Sequence, residues 1–127
     1  MAGKKEIVSA GAPKAIGPYS AGMSAGDLVF CSGQIGIDPR SGEIAKDIAG
    51  QTSGALKNLE AVLGSAGLGM ESVVKTTVFM TDLSEFQQMN EVYARHFRQP
   101  YPARSTVQVA ALPRGAKVEI ECIAARV

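Results

Sequence analysis

PARSTVQVAALPRGAKVEIECIA, residues 102–124, is the stretch on which the reading of the fold turns. Two runs, Arg104 to Ala110 and Lys117 to Ala125, flank LPRGA, which contains both Pro and Gly, so they read as a β-hairpin or as neighbouring strands. Successive side chains on a strand point to opposite faces, which puts Arg104, Thr106 and Gln108 on one side and Val107 and Val109 on the other. In the second run Val118, Ile120 and Cys122 share a face, while Lys117, Glu119 and Glu121 share the opposite one. The pattern predicts a sheet with a greasy side and a charged side. Helices are expected to cover the greasy side and to leave Arg104, Thr106, Gln108, Glu119 and Glu121 on a polar surface that meets solvent, a ligand or another subunit.

Outward from there, Ser84-Glu-Phe-Gln87 has the spacing of a capping box, and Phe86, Met89, Tyr93 and Phe97 form the buried stripe of a helix ended by Pro100 and Pro102. Ser72 to Thr81 (SVVKTTVFMT) is rich in β-branched residues and reads as a strand. Between Asp47 and Gly67, Ile48, Ala55, Leu56, Leu59, Val62, Leu63 and Ala66 recur at helical spacing, with Asp47 as N-cap and Gly67 as a left-handed stop. Asp38 to Gly42 is a turn-rich loop, Tyr19–Ser24 and Asp27–Ser32 form a hairpin turning near Ala25-Gly26, and Lys5 to Val8 is a short first strand. The order is α+β, with two helices on one face of a sheet. No repeat or linker divides the chain, so residues 1–127 read as a single domain.

The charge balance narrows the function. Thirteen Lys and Arg against 12 Asp and Glu leave a net charge of +1, and the cations are scattered from Lys4 to Arg126 rather than gathered in a stripe. Nucleic acid is therefore not the expected partner. MAGKKEIVSAG has no apolar run after its lysines, so no signal or transit peptide is read there, and no stretch approaches the ~18 apolar residues of a membrane span. A soluble, cytoplasmic protein is expected. Cys31 and Cys122, far apart in sequence and each in an apolar run, read as two buried thiols in a reducing compartment.

Most catalytic machineries need residues this chain lacks. His96 is the sole histidine, which argues against a zinc or non-haem iron site and against a Ser-His-Asp arrangement, and it reads as structural. No Walker or dinucleotide glycine loop occurs. SGQIG at 32–36 reads as a strand end and turn, or as a backbone rim against which a small ligand packs. What remains is Arg104 with Glu119. As a cross-strand surface ion pair they would contribute about 0 to 1 kcal/mol. As chemistry, the planar fork of Arg104 would grip a carboxylate while Glu119 positions or deprotonates water.

GPYSAG (17–22), FCSGQIGIDPRSGEI (30–44), VVKTTVFMTDLSEFQQMNEVY (73–93) and PARSTVQVAALPRGAKVEIECIA (102–124), in that order, make the chain resemble the RidA (YjgF) family of reactive intermediate/imine deaminases over nearly its whole length. The resemblance implies a chorismate-mutase-like fold, a mixed sheet with two helices packed on one face, in a homotrimer whose active sites lie between subunits. It implies cofactor-independent hydrolysis of 2-aminoacrylate or 2-iminobutanoate to a 2-keto acid and ammonia. Arg104, in PARS, matches the carboxylate-binding arginine, and Glu119, in KVEIE, matches the acid that handles the attacking water. Tyr19 matches a wall or proton relay, and Gly33 and Asn90 fall at matching positions around the pocket. Thr106 stands where some members carry cysteine, so no mechanism through a thiol applies there, although its hydroxyl is placed to bond a ligand. No metal is implied. The other reading is a small-metabolite or keto-acid sensor without turnover, or a translation regulator or ribonuclease on the same fold.

Overall fold

The computed structural model describes residues 3–127. Its strands and helices follow the expected order: β1 (Lys4–Ile7), β2 (Gly22–Ala25), β3 (Leu28–Gln34), α1 (Ile48–Ser65), β4 (Val73–Met80), α2 (Phe86–Ala94), β5 (Ala103–Gln108) and β6 (Val118–Ala125). The six strands form one sheet in the order β1-β2-β3-β6-β4-β5, antiparallel except for the parallel pair β4 and β5. Both helices pack on one face, and together with the sheet they bury Val29, Leu56, Leu59, Leu63, Val78, Met80, Met89, Val118 and Ile120. Among the described residues no helix is long and apolar enough to cross a membrane.

Local chemistry sets most boundaries. Asp47 caps α1 by accepting from the Gly50 amide at 2.9 Å, and Gly67, with φ of +76°, takes the left-handed turn that ends it. Gly26, at φ +59°, closes the β2–β3 hairpin. The first strand begins and ends one residue earlier than the pattern suggests, leaving Val8 exposed. The capping box at Ser84 does not form. Asp82 instead accepts from the Ser84 amide and caps a short 3-10 turn, so α2 starts at Phe86 without a side-chain cap. That helix also stops at Ala94, well before Pro100.

The expectation for the last two runs fails in an instructive way. β5 and β6 are neither a hairpin nor neighbours, because β4 lies between them. The segment β4–α2–β5 is a crossover unit, and a helix connection returns the chain parallel to the strand it left. β5 thus becomes the sheet edge, and LPRGA carries the chain past β4 to reach β6. The face assignment changes with it. Directly opposed residues share a face, and Thr76 on β4 lies opposite both Cys122 on β6 and Arg104 on β5, while Cys122 lies opposite Cys31. Cys31, Cys122, Thr76 and Arg104 therefore form one row on the helix-covered face. Phe79 lies opposite both Glu119 and Val107, which puts those three on the open face. Arg104, Thr106 and Gln108 are on the greasy side after all, and Val107 is on the open one. Side chains alternate along each strand as expected, but with β4 between them the charged positions of β5 and β6 fall on opposite faces. Nor is the open face purely charged: Phe30 and Val107, each 42% exposed, lie there beside Glu119 and Glu121.

Candidate active site

Arg104 sits on the edge strand under α2, where three residues of that helix meet it. The Asn90 Oδ1 accepts from its Nη1 at 2.7 Å, the Tyr93 ring lies 4.7 Å from the guanidinium carbon, and the Phe86 ring lies 5.5 Å away. Positions 86, 90 and 93 are spaced four and three apart, so one stripe of the helix holds the cation. The guanidinium faces a cavity of about 470 Å³ lined by Asn90, Tyr93, Ala94, Tyr101 and Pro102. Lys117–Glu85 is the one salt bridge among the described residues, so Arg104 has no carboxylate partner within them. A guanidinium held by Asn90 beside two rings, with donors to spare, suits a carboxylate from outside the chain.

Glu119 belongs to a different cavity. It lines a space of about 510 Å³ with Tyr19, Gly33, Gln34, Ile35 and Arg114. β3 and β6 lose register between Cys31 and Gln34, and the Glu119 carboxylate lies directly over Gly33, where any Cβ would collide with it. Burial, and then repulsion from Glu121, pushes the Glu119 carboxyl above the ordinary glutamate value. Tyr19 reaches the same space because Ser32 ties its loop down, its hydroxyl donating to the Ser20 carbonyl at 2.6 Å and its amide to that of Ala21 at 2.9 Å.

The residues read from the sequence therefore fall into two groups. Arg104 and Asn90 share one cavity; Tyr19, Gly33 and Glu119 share the other, on the opposite face of the sheet. Thr106, opposite the fully buried Val78, is on the Arg104 side, and its hydroxyl is shielded from solvent without a hydrogen-bond partner among the described residues. A cross-strand Arg104–Glu119 ion pair is ruled out by this geometry. SGQIG proves to need its two glycines for separate reasons. Gly33 makes room for Glu119, whereas a Cβ at Gly36 would strike the α1 backbone at Gln51. Asn58 then pins this segment to the helix, donating to the carbonyls of Ile35 and Ile37 at 3.1 and 2.8 Å. Asn58, Thr76 and Tyr93 were missed as contributors to the site, and only the unexpected polar residues within apolar stripes marked them. His96 is partly buried in the turn that follows α2, and burial lowers its pKa, in keeping with a structural role. No cluster of three or more metal-binding side chains occurs among the described residues.

Known proteins fit this architecture closely. Residues 9–126 match the family model described as Endoribonuclease L-PSP. The chain is 50% identical over 123 residues to Reactive Intermediate Deaminase A, chloroplastic, of Arabidopsis thaliana, covering 95% of this chain and 66% of that one. It is 45% identical to the 2-iminobutanoate/2-iminopropanoate deaminase of Salmonella typhimurium, covering 96% and 98% of the two chains. The crystal structure of E. coli TdcF with bound serine superposes with a TM-score of 0.93 at 46% identity, covering 97% of this chain and 99% of that one. On these matches the chain belongs to the RidA/YjgF family, whose family model is the one described as Endoribonuclease L-PSP.

Proposed function

We propose that this protein hydrolyses reactive 2-imino acids, such as 2-iminobutanoate and the tautomer of 2-aminoacrylate, to 2-keto acids and ammonia. One observation carries the reading: Arg104 is held by Asn90 and over the Tyr93 ring, without an acidic partner among the described residues, beside a cavity large enough for a small carboxylate. The names and bound serine of its relatives point to the same substrate size. RNA is poorly served, since a net charge of +1 and a single histidine provide neither a basic groove nor paired imidazoles.

The two half-sites lie on opposite faces of one sheet, so the complete site is composite. Arg104 and Asn90 of one copy meet Tyr19, Gly33 and Glu119 of its neighbour. The mixed apolar and acidic open face, with Phe30 and Val107, supports packing of three copies around an axis. In the joined site the Arg104 fork grips the substrate carboxylate and orients the imine carbon. Glu119, its carboxyl held above the ordinary glutamate value by burial and by Glu121, takes a proton from the attacking water. The C–O bond forms as the C=N pair moves to nitrogen, and Glu119 passes the water proton to that nitrogen, giving a neutral carbinolamine. Glu119 then takes the carbinolamine hydroxyl proton and hands it to the amino group as the C=O bond forms and the C–N bond breaks, releasing the keto acid and ammonia. Gly33 leaves the Glu119 carboxylate its place, and the orphan hydroxyl of Thr106 offers the ligand a hydrogen bond. The site calls on no cofactor for these steps. We place the activity in the cytoplasm, where the buried thiols of Cys31 and Cys122 would stay reduced.

The test generates 2-aminoacrylate with a serine dehydratase and follows keto-acid release with and without the protein. Acceleration is expected; ligand binding without acceleration would favour a sensor. Composite sites are tested by co-refolding Arg104→Ala with Glu119→Gln. In a ring of mixed copies about a quarter of the sites regain both residues, so activity should return to roughly that fraction. No recovery would place the site within one copy.

A further inference from the structure

Thr76 is fully buried between apolar neighbours, with Val78 and Met80 beside it on the same face of β4. Its hydroxyl lies 2.7 Å from the Tyr93 hydroxyl, and the two form a closed pair in the core. For packing alone, valine and phenylalanine have the same shapes and no polar atoms to desolvate. The pair sits one strand in from Arg104, in the same row, and the Tyr93 ring is the face on which the guanidinium rests. Tyr93 has two side-chain torsions and packs against Phe97 at 4.6 Å between ring centroids, with its hydroxyl at the far end of the ring axis. The bond to Thr76 fixes that tip to the sheet.

We propose that Thr76 and Tyr93 are positioning residues: Thr76 locks the Tyr93 ring, and the locked ring sets the plane of the Arg104 fork for two-pronged capture of a carboxylate. The inference rests on the role of Arg104 proposed above and adds what keeps that side chain aimed. Burial raises the Tyr93 pKa, so its hydroxyl stays protonated and able to hold the bond through neutral pH. Asn90 fixes one nitrogen of the fork, and the ring fixes its tilt; a bidentate contact needs both.

Three variants test this: Thr76→Val, Tyr93→Phe and the double replacement. Each single change strands one buried hydroxyl, while the double change strands none and is the variant best able to fold. The double variant is expected to keep or raise the melting temperature. Its affinity for 2-oxobutanoate, measured by calorimetry, should fall about tenfold, and KM should rise by the same factor with kcat nearly unchanged, as when uniform binding is lost. The singles should match the double in binding, since the pair acts as one unit. In an Arg104→Lys background the same changes should have no effect, because an ammonium has no plane to orient. Wild-type affinity in the double variant would overturn the proposal, as would a loss that persists in the Arg104→Lys background. A wild-type protein that binds 2-oxobutanoate without hydrolysing imines, with the same pattern among variants, would sink the deaminase reading and leave this one standing.

Discussion

Arg104 and Glu119 are the two charged ends of the proposed chemistry, and they are held in opposite ways. Three side chains of α2 touch the arginine, and a buried hydroxyl pair lies behind it. The glutamate accepts no hydrogen bond among the described residues, and its place is set by the space above Gly33 and by burial. A carboxylate anchor must keep one geometry in substrate and product alike, so rigidity serves it. A group that takes and returns a proton works best with its charged form weakly stabilised, so a poorly bonded, half-buried position serves that task. Under the proposed chemistry, binding falls to the helix-covered edge and proton transfer to the open face.

The largest effect should come from removing the rigid end. Arg104→Ala leaves the substrate carboxylate without its fork, which should cost about 3 to 5 kcal/mol and hence roughly two to four decades in kcat/KM. The variant should fold, since Arg104 is at the sheet edge and outside the apolar cluster. A loss of only a few-fold in the coupled dehydratase assay would break the assignment.

Arg104 itself was legible in the sequence, as was the order of the elements, because β-branched runs, α1 periodicity and Gly67 each have a local physical cause. Its face was not. Nothing in PARSTVQVAALPRGAKVEIECIA records that β4 slips between the two runs, since parallel pairing is a long-range outcome of the α2 crossover. A one-residue difference in phase reverses a strand, and so Arg104 and Glu119 looked like companions on one face when they are on two. The dependence of Gly33 on Glu119 was hidden for the same reason: they are 86 positions apart in the chain and meet only through the β3–β6 bulge. Cys31 and Cys122 carry the lesson too, remote in sequence and directly opposed in the sheet.

Gly33→Ala probes the loosely held end. A methyl group there must displace the Glu119 carboxylate, and misplacing a catalytic group by about 1 Å costs on the order of a hundredfold. The fall should appear in kcat with little change in 2-oxobutanoate affinity, the reverse of the Arg104 pattern. If affinity collapsed while kcat held, the division between the two ends would be wrong.

The pH profile sharpens the division further. The acid limb of kcat/KM should follow ionisation of Glu119 and sit above the ordinary glutamate value of 4.5, with Glu121 responsible for part of the rise. Glu121→Gln removes the like charge and should move that limb to lower pH. The stability consequence has a definite sign. A carboxyl whose folded pKa is raised binds more protons in the native state, so its contribution is full below 4.5 and is lost as pH rises through the folded value. Glu119→Gln should therefore gain stability relative to wild type at neutral pH while losing turnover. A stability loss at pH 7 would mean that the glutamate is braced by contacts absent from this account.

Thr106→Val is the smallest test, and it bears on the rigid end. The Thr106 hydroxyl is shielded and unbonded, and an unmet buried polar group costs about 1 to 3 kcal/mol. Valine has the same shape without that cost, so the apo protein should melt at the same temperature or higher. If the hydroxyl is kept for the ligand, the gain in stability comes with a fall of about three- to tenfold in kcat/KM, the worth of one neutral hydrogen bond. Because Thr106 is on the Arg104 side of the sheet, that fall should appear mainly in KM. A loss in kcat alone would move Thr106 into the proton-transfer half and would mean that the two faces meet more intimately than a seam between copies requires.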